Sequence, residues 1–175
     1  LAYFDAERFD ADGWRSGYPN PAYEARREAD AAWMARIVAR IGPAHVRAIV
    51  DRGRLDWTSR RVATEVLLGR RRKLLERYLT RLSPLTDPTV EPGGPGAPWL
   101  CVEDRAVTGG IRRRADRRYG ARVWRDGGAV DVAPRLRSVG PARVRLLLGA
   151  ALGAAAEPDV VADVFVAGPG DAGPA

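Results

Sequence analysis

This sequence of 175 residues contains a single cysteine, a single histidine, a single methionine and a single lysine. With Cys101 as the only cysteine, no disulfide can form within the chain. Cys101 and His45 also fall short of the four ligands of a typical structural zinc site, although a metal site made of carboxylates stays open. We therefore predict no bound cofactor.

Long hydrophobic runs are missing as well. The longest, residues 146–156, is interrupted by Gly149 and Gly153 and is shorter than the roughly 20 residues that span a bilayer. We predict no membrane span, and the composition leaves the cellular compartment open. Because the chain begins at Leu1 and not at methionine, we expect it to be a piece of a longer polypeptide.

Arginine is the residue in excess, since Lys73 is the only lysine among 29 basic residues and the net charge is +7. Residues 1–84 carry 17 basic and 11 acidic side chains, whereas residues 85–175 carry 12 and 11. A basic surplus is typical of surfaces that attract anions. Abundant alanine, glycine and proline, however, indicate a GC-rich genome, which favours arginine codons without any binding role.

The charge boundary falls in a segment rich in proline and glycine, SPLTDPTVEPGGPGAP. This segment has neither helical nor strand periodicity, which is typical of a linker. The predicted organisation is a helical unit over residues 1–84, a linker over 85–98, a β domain over 99–167 and a disordered tail over 168–175.

Helical periodicity dominates the first unit. Trp33, Ile37 and Ile41 recur four residues apart and predict a helix whose apolar stripe, Trp33 included, packs into a core. A second helix is predicted over residues 43–52, and a third is predicted to begin at a cap on Asp56 or Thr58 and to be closed by Pro84. Tight loops join them, which gives a unit of three packed helices. The predicted buried face of the third helix consists of Val62, Val66, Leu74, Leu75, Tyr78, Leu79 and Leu82.

Two helix starts compete after Tyr18. Asn20 is a good N-cap, and Pro21 suits the first turn of a helix. The alternative start lies near Glu28 or Asp30 and leaves the residues between in an extended conformation. A dedicated binding loop around Tyr18 and Asn20 is the functional alternative to this structural interpretation.

Beyond the predicted linker, apolar residues alternate, which is typical of strands. The predicted strands cover residues 99–103, 119–124, 129–133, 143–149 and 160–168. An Asp-Gly pair within residues 125–130 predicts a β-hairpin. The Leu- and Ala-rich segment 143–156 also suits a helix. We predict a small antiparallel β-sandwich-like domain, and hence an α+β chain.

Residues 7–55, ERFDADGWRSGYPNPAYEARREADAAWMARIVARIGPAHVRAIVDRGRL, resemble a segment of large uncharacterised bacterial proteins. The resemblance extends to about residue 107. The shared features are Trp14, the Tyr-Pro-Asn-Pro-Ala-aromatic run 18–23, Asp30 with Trp33, and the helix around 46–50.

The resemblance implies that the chain is the C-terminal region of such a protein. The upstream region of those proteins looks distantly kinase-like, and its catalytic-loop and metal-binding segments have no counterpart in this sequence. No catalytic residue is therefore implied here. Where the resembling proteins have Asp-Lys-Ile-Gly, residues 72–75 are Arg-Lys-Leu-Leu. The implied partner is the upstream domain of the same polypeptide or another protein.

Basic residues concentrate on the predicted third helix, where they could contact nucleic-acid phosphates or another acidic surface. Consecutive side chains point around a helix, so they cannot all face one backbone, and a solvated helix face explains them equally well. The candidate anion-binding residues are Arg60, Arg61, Arg70, Arg71, Lys73, Arg77 and Arg81.

The remaining candidates are acidic and aromatic. Asp5, Glu7, Asp10 and Asp12 gather near the start, but general acid–base catalysis needs carboxylates that converge in a cleft. Sequence proximity does not show such convergence, so we predict no catalytic residue. The candidate interaction residues are Trp14, Tyr18, Asn20 and Trp57.

These observations predict a non-catalytic accessory or interaction region of a larger bacterial protein. The alternative is an arginine-rich module that binds nucleic acid or another acidic surface.

Overall fold

The computed structural model describes residues 4–13, 17–93, 98–130, 136–148 and 160–167. The chain divides into two compact units, Leu1–Pro84 and Leu85–Ala175. Helices dominate the first unit and two antiparallel sheets the second, so the fold mixes helix and strand. Within the described ranges, no helix is both long enough and apolar enough to cross a bilayer.

Both of the competing helix starts are used. Helix α1 (Pro21–Glu24) is a single turn, capped by the side-chain oxygen of Asn20, which accepts two backbone N–H groups at 3.1 and 3.3 Å. The chain is extended at Arg27, and helix α2 (Glu28–Arg40) begins at the next residue. The Asp30 carboxylate accepts the Arg27 backbone N–H at 2.9 Å, which fixes this second start.

The chain continues through two further helices. Helix α3 (Pro43–Arg52) begins with proline in its first turn. Helix α4 (Trp57–Leu74) is capped by Asp56, whose carboxylate accepts the backbone N–H of Ser59 at 3.0 Å. A π-helical turn (Leu75–Leu79) ends this helical stretch before Pro84, the predicted closing residue.

The core face of α2 is made of alanine and not of the predicted stripe. Ala32 and Ala35 are 2% and 4% exposed, whereas Trp33 is 57% exposed. The prediction that Trp33 packs into the core was therefore wrong. Alanine lets α2 lie close to the π-helical turn, its main packing partner, and turns the larger apolar residues outward. Those exposed residues are Trp33, Met34, Ile37 and Ile41.

Only the C-terminal end of the predicted third-helix face is fully buried. Leu75, Tyr78 and Leu79 are each at most 4% exposed. No residue of α4 itself is fully buried, and Leu82 is 44% exposed. The largest fully buried side chains of the first unit, Leu75 and Leu79, therefore lie in the π-helical turn.

The described residues of the second unit form two antiparallel sheets. The first has the order β1 (Leu85–Glu91), β2 (Trp99–Asp104), β6 (Arg143–Leu147) and β5 (Leu136–Val139). The second has the order β4 (Gly128–Ala129), β3 (Arg118–Arg125) and β7 (Val160–Ala167). A short helix, α5 (Arg105–Thr108), follows β2.

Apolar residues from both sheets form one cluster. Val123 of β3 and Leu146 of β6 are its buried centre, and Leu100 of β2 and Val164 of β7 pack against it. This cluster forms part of the buried apolar core of the second unit.

The predicted linker over 85–98 was wrong for residues 85–91, which form the edge strand β1. The pairing of β1 with β2 is irregular between Thr86 and Thr89, where Asp87 has a positive φ of 52° and Pro88 follows. Proline and bulges are tolerated on edge strands. Asp87 and Pro88 therefore give residues 85–91 the sequence pattern of a linker although they form a strand. Residues 94–97 lie outside the described residues.

The predicted hairpin at residues 125–130 is confirmed. Asp126 and Gly127 have φ values of 50° and 78°, as a two-residue type I′ turn requires, and Trp124 pairs with Ala129. Residues 143–147 are strand, which settles that part of the ambiguous segment. Residues 131–135, 149–159 and the tail 168–175 lie outside the described residues.

Candidate functional site

A cavity of about 640 Å³ lies beside α2 within the first unit. Its volume falls in the range of small-ligand and peptide pockets. Apolar and aromatic side chains dominate its lining, and we call it the α2 groove. Its principal lining residues are Tyr23, Arg26, Trp33, Met34, Val38, Leu74 and Tyr78.

The apolar surface continues beyond the α2 groove. Trp33 and Met34 line the groove and are 57% and 50% exposed. Ile37 and Ile41 follow at one-turn spacing and are 38% and 39% exposed. These four side chains form an apolar stripe over residues 33–41, which comprise the C-terminal part of α2 and its cap residue and rise about 12 Å along the helix axis.

One cation, Arg26, lines the α2 groove. The guanidinium of Arg26 lies 4.7 Å from the ring centre of Tyr23 and 5.3 Å from that of Tyr78. Its Nη1 donates to the Tyr23 hydroxyl at 3.2 Å. Stacking on aromatic rings is typical of arginines that recognise carboxylates or phosphates.

The N-terminal residues 4–13 are fastened to α4 by two of the predicted anion-binding cations. Arg70 donates to the carbonyl oxygen of Asp5 at 2.8 Å, and its guanidinium lies over the ring of Phe9 at 5.1 Å. Lys73 donates to the carbonyl oxygens of Glu7 and Phe9 at 2.5 and 3.1 Å. These side chains serve intramolecular contacts.

Arg77 also links residues 4–13 to α2. Its guanidinium donates to the carboxylate of Asp12 and, at 2.6 Å, to that of Glu28. Hydrogen bonds from Arg77 lower the pKa of Asp12 and of Glu28, and the two carboxylates raise the pKa of Arg77. Tyr78 adds a hydrogen bond to the carbonyl oxygen of Ala11 at 3.0 Å.

The other predicted anion-binding residues also contact the first unit. Arg71 donates to the carbonyl oxygen of Ala39 at 3.1 Å, and Arg81 lies 3.9 Å from the Glu28 carboxylate. Arg60 and Arg61 line a shallow cavity of about 380 Å³ with two acidic residues. Arg60 pairs with Asp51 at 3.4 Å and Arg61 with Glu65 at 3.7 Å. The structure therefore gives each predicted cation an intramolecular partner.

The predicted interaction residues do not converge. Asn20 lines the α2 groove, but its side-chain oxygen caps α1. Tyr18 is 84% exposed, and Trp57, at the start of α4, is 72% exposed with Arg61 over its ring. Trp14 lies outside the described residues.

The acidic residues near the start have local contacts. Asp5 accepts the backbone N–H of Arg8 at 2.6 Å, and Asp10 accepts that of Asp12 at 2.9 Å. Across the ranges that the structure covers, no three Cys, His, Asp or Glu residues are grouped so that they could hold a metal ion.

The second unit holds a buried charge. Asp104 is 0% exposed and accepts hydrogen bonds from Arg117, Tyr119 and the backbone N–H of Ala106 at 2.8, 2.8 and 2.9 Å. It ends β2, caps α5 and reaches the start of β3, so it joins the two sheets. Burial, followed by the bond to Asp104, raises the pKa of Tyr119 to about 12.

A smaller cavity of about 370 Å³ in the second unit is lined by Asp87, Glu103 and Arg143. Arg105 pairs with both Asp87 and Glu103, and Arg143 pairs with Glu91. Each charged side chain of its lining already has an ion-pair partner, so the α2 groove is the stronger candidate site.

Sequence reasoning missed Arg26 and misassigned Trp33. One available signal was the pair of helix starts at Asn20 and Asp30, because a break between them moves Arg26 off a continuous helix face. A second signal was the run of alanines in α2, since small residues mark close helix contacts. The sequence matches no protein-family model, and no curated protein or solved structure is significantly similar to it.

Proposed function

We propose that this chain is a non-catalytic interaction region that binds a polypeptide segment through the α2 groove and the apolar stripe beside it. The partner is either an upstream domain of the same polypeptide or another protein. The finer architecture belongs to this proposal: three packed helices present the binding surface, and a β-sandwich-like domain supports it.

The observation that carries the proposal is the exposure of Trp33, Met34 and Ile37 on α2 and of Ile41 at its C-terminal cap. Single exposed apolar residues are ordinary, but a contiguous apolar patch beside a groove is typical of a protein interaction site. Tryptophan and methionine are also enriched at such interfaces.

The alternative, an arginine-rich module for nucleic acid or another acidic surface, receives less support. Arg70, Lys73 and Arg77 hold residues 4–13 or Glu28, so they would have to exchange these partners for phosphates. Binding through them would weaken steeply with rising salt. A steep salt dependence of duplex binding would favour this alternative over the first proposal.

The test uses a display library of helical peptides selected on the intact chain. We expect the enriched peptides to bind the Met34→Asp variant at least tenfold more weakly, because the change places a carboxylate in the groove. Ile49→Asp is the matched control, since Ile49 lies on α3 and is 63% exposed. The proposal fails if no peptide is enriched, or if the enriched peptides bind Met34→Asp as tightly as the unmodified chain.

A further inference from the structure

The Arg26 guanidinium has hydrogen-bond donors that no described residue uses. It is half-buried in the α2 groove, and a guanidinium offers five N–H donors. Among the described residues, the Tyr23 hydroxyl is the only acceptor that the Arg26 side chain reaches. A half-buried guanidinium bound to one neutral hydroxyl lacks the carboxylate that such groups usually have.

The surrounding carboxylates are engaged elsewhere. Asp12, whose pKa Arg26 helps to lower, is hydrogen-bonded to Arg77 and Tyr78. Asp30, on the groove wall, accepts the backbone N–H of Arg27. Across the described ranges, no carboxylate oxygen lies within salt-bridge distance of the Arg26 guanidinium.

The Arg26 guanidinium is held in position before any partner binds. Its guanidinium lies over the rings of Tyr23 and Tyr78, and Tyr78 is in turn held by Ala11 and Asp12. A cation immobilised in this way loses little further freedom when it binds an anion. The remaining donors can therefore form a charge-assisted, bidentate contact with a carboxylate.

We propose that the α2 groove takes an amphipathic helical segment of a partner polypeptide, and that an aspartate or glutamate of this segment pairs with Arg26. The inference rests on the proposed function and names the chemistry of its partner. Apolar side chains of the segment cover the stripe from Trp33 to Ile41, in the manner of helix-in-groove recognition. The basic surplus of residues 1–84 complements an acidic segment.

The test uses the tightest-binding peptide from the library selection and copies of it in which each Asp or Glu is replaced singly by Asn or Gln. We expect one replacement to weaken binding about tenfold or more. We expect Arg26→Gln to abolish the difference between the acidic peptide and that copy. Arg27→Gln is the matched control, because it removes one positive charge next to the groove but outside its lining.

Three results would overturn the inference. They are a selected peptide without an acidic residue, equal binding of the acidic peptide and all its copies, and an equal effect of Arg27→Gln. If in any of these cases Met34→Asp still weakens peptide binding, the proposed function stands and only the role of Arg26 is refuted. If Met34→Asp has no effect, the proposed function falls as well.

Discussion

Replacing Asp104 by asparagine tests how the second unit is held together. The Asp104 carboxylate is fully buried, and among the described residues it is the only hydrogen-bond acceptor of the Arg117 side chain, which is 11% exposed. Nη2 of Arg117 is buried and has no partner among the described residues. Removing one member of a buried ion pair costs about 3–5 kcal/mol. Because asparagine keeps one acceptor oxygen, we expect about 3 kcal/mol for Asp104→Asn, at the lower end of that range.

Amide hydrogen exchange measures this loss. The reporters are the amides of Val144 and Leu146 in β6, which pairs with β2. A loss of about 3 kcal/mol raises their exchange rates roughly 150-fold, since each 1.36 kcal/mol is a factor of ten. Asp116→Asn is the control, because its pair with Arg113 is exposed and no resolvable change is expected. An increase below about fivefold for Asp104→Asn would refute the reasoning.

Three further predictions concern Arg77, Gly69 and Tyr119. The two carboxylate partners of Arg77 have pKa values below their ordinary 3.8 and 4.5, so their contribution to stability is present above that range and is lost as the pH falls below it. We expect Arg77→Gln to flatten the acid branch of a urea-denaturation series, and an unchanged acid branch would contradict this. A Cβ on Gly69 would lie 2.5 Å from the Cβ of Ala6, so Gly69→Ala should displace residues 4–13 and expose them to limited proteolysis. It should therefore not give the stability gain of about 1 kcal/mol that replacing glycine by alanine usually gives in a helix. Added stability with unchanged cleavage would refute the contact. Since burial raises the pKa of Tyr119 from 10 to about 12, its contribution is present below pH 10 and is lost as the pH rises through 12. Ultraviolet titration should show a tyrosine that ionises near pH 12 and that Tyr119→Phe removes, and the absence of such a tyrosine would count against its burial.

Much of the strand pattern could be predicted from the sequence, because strict alternation and an Asp-Gly turn are local signals. Strands β2, β3, β6 and β7 fall within two residues of their predicted bounds. Strand β1 could not be found in this way, since Asp87 and Pro88 are residue types typical of linkers. They are tolerated in β1 only because it is an edge strand.

The candidate site was less predictable, because its features depend on tertiary packing. Periodicity identifies an apolar helix face but not which of two faces a partner covers, and in α2 the alanine face packs inward. The contacts of Arg70 and Lys73 join residues more than 60 positions apart and end on backbone carbonyl oxygens. Such contacts leave no pattern of residue types in a sequence.

The exposure of Trp33 is tested most directly by the free energy of unfolding of Trp33→Ala, measured in urea beside Leu79→Ala. Leu79 is 1% exposed and Trp33 is 57% exposed. The structure predicts a loss of less than about 1 kcal/mol for Trp33→Ala and about 2–5 kcal/mol for Leu79→Ala. A loss of about 3–5 kcal/mol for Trp33→Ala, as for a core tryptophan, would show that this face is packed inside the protein and is not available to a partner.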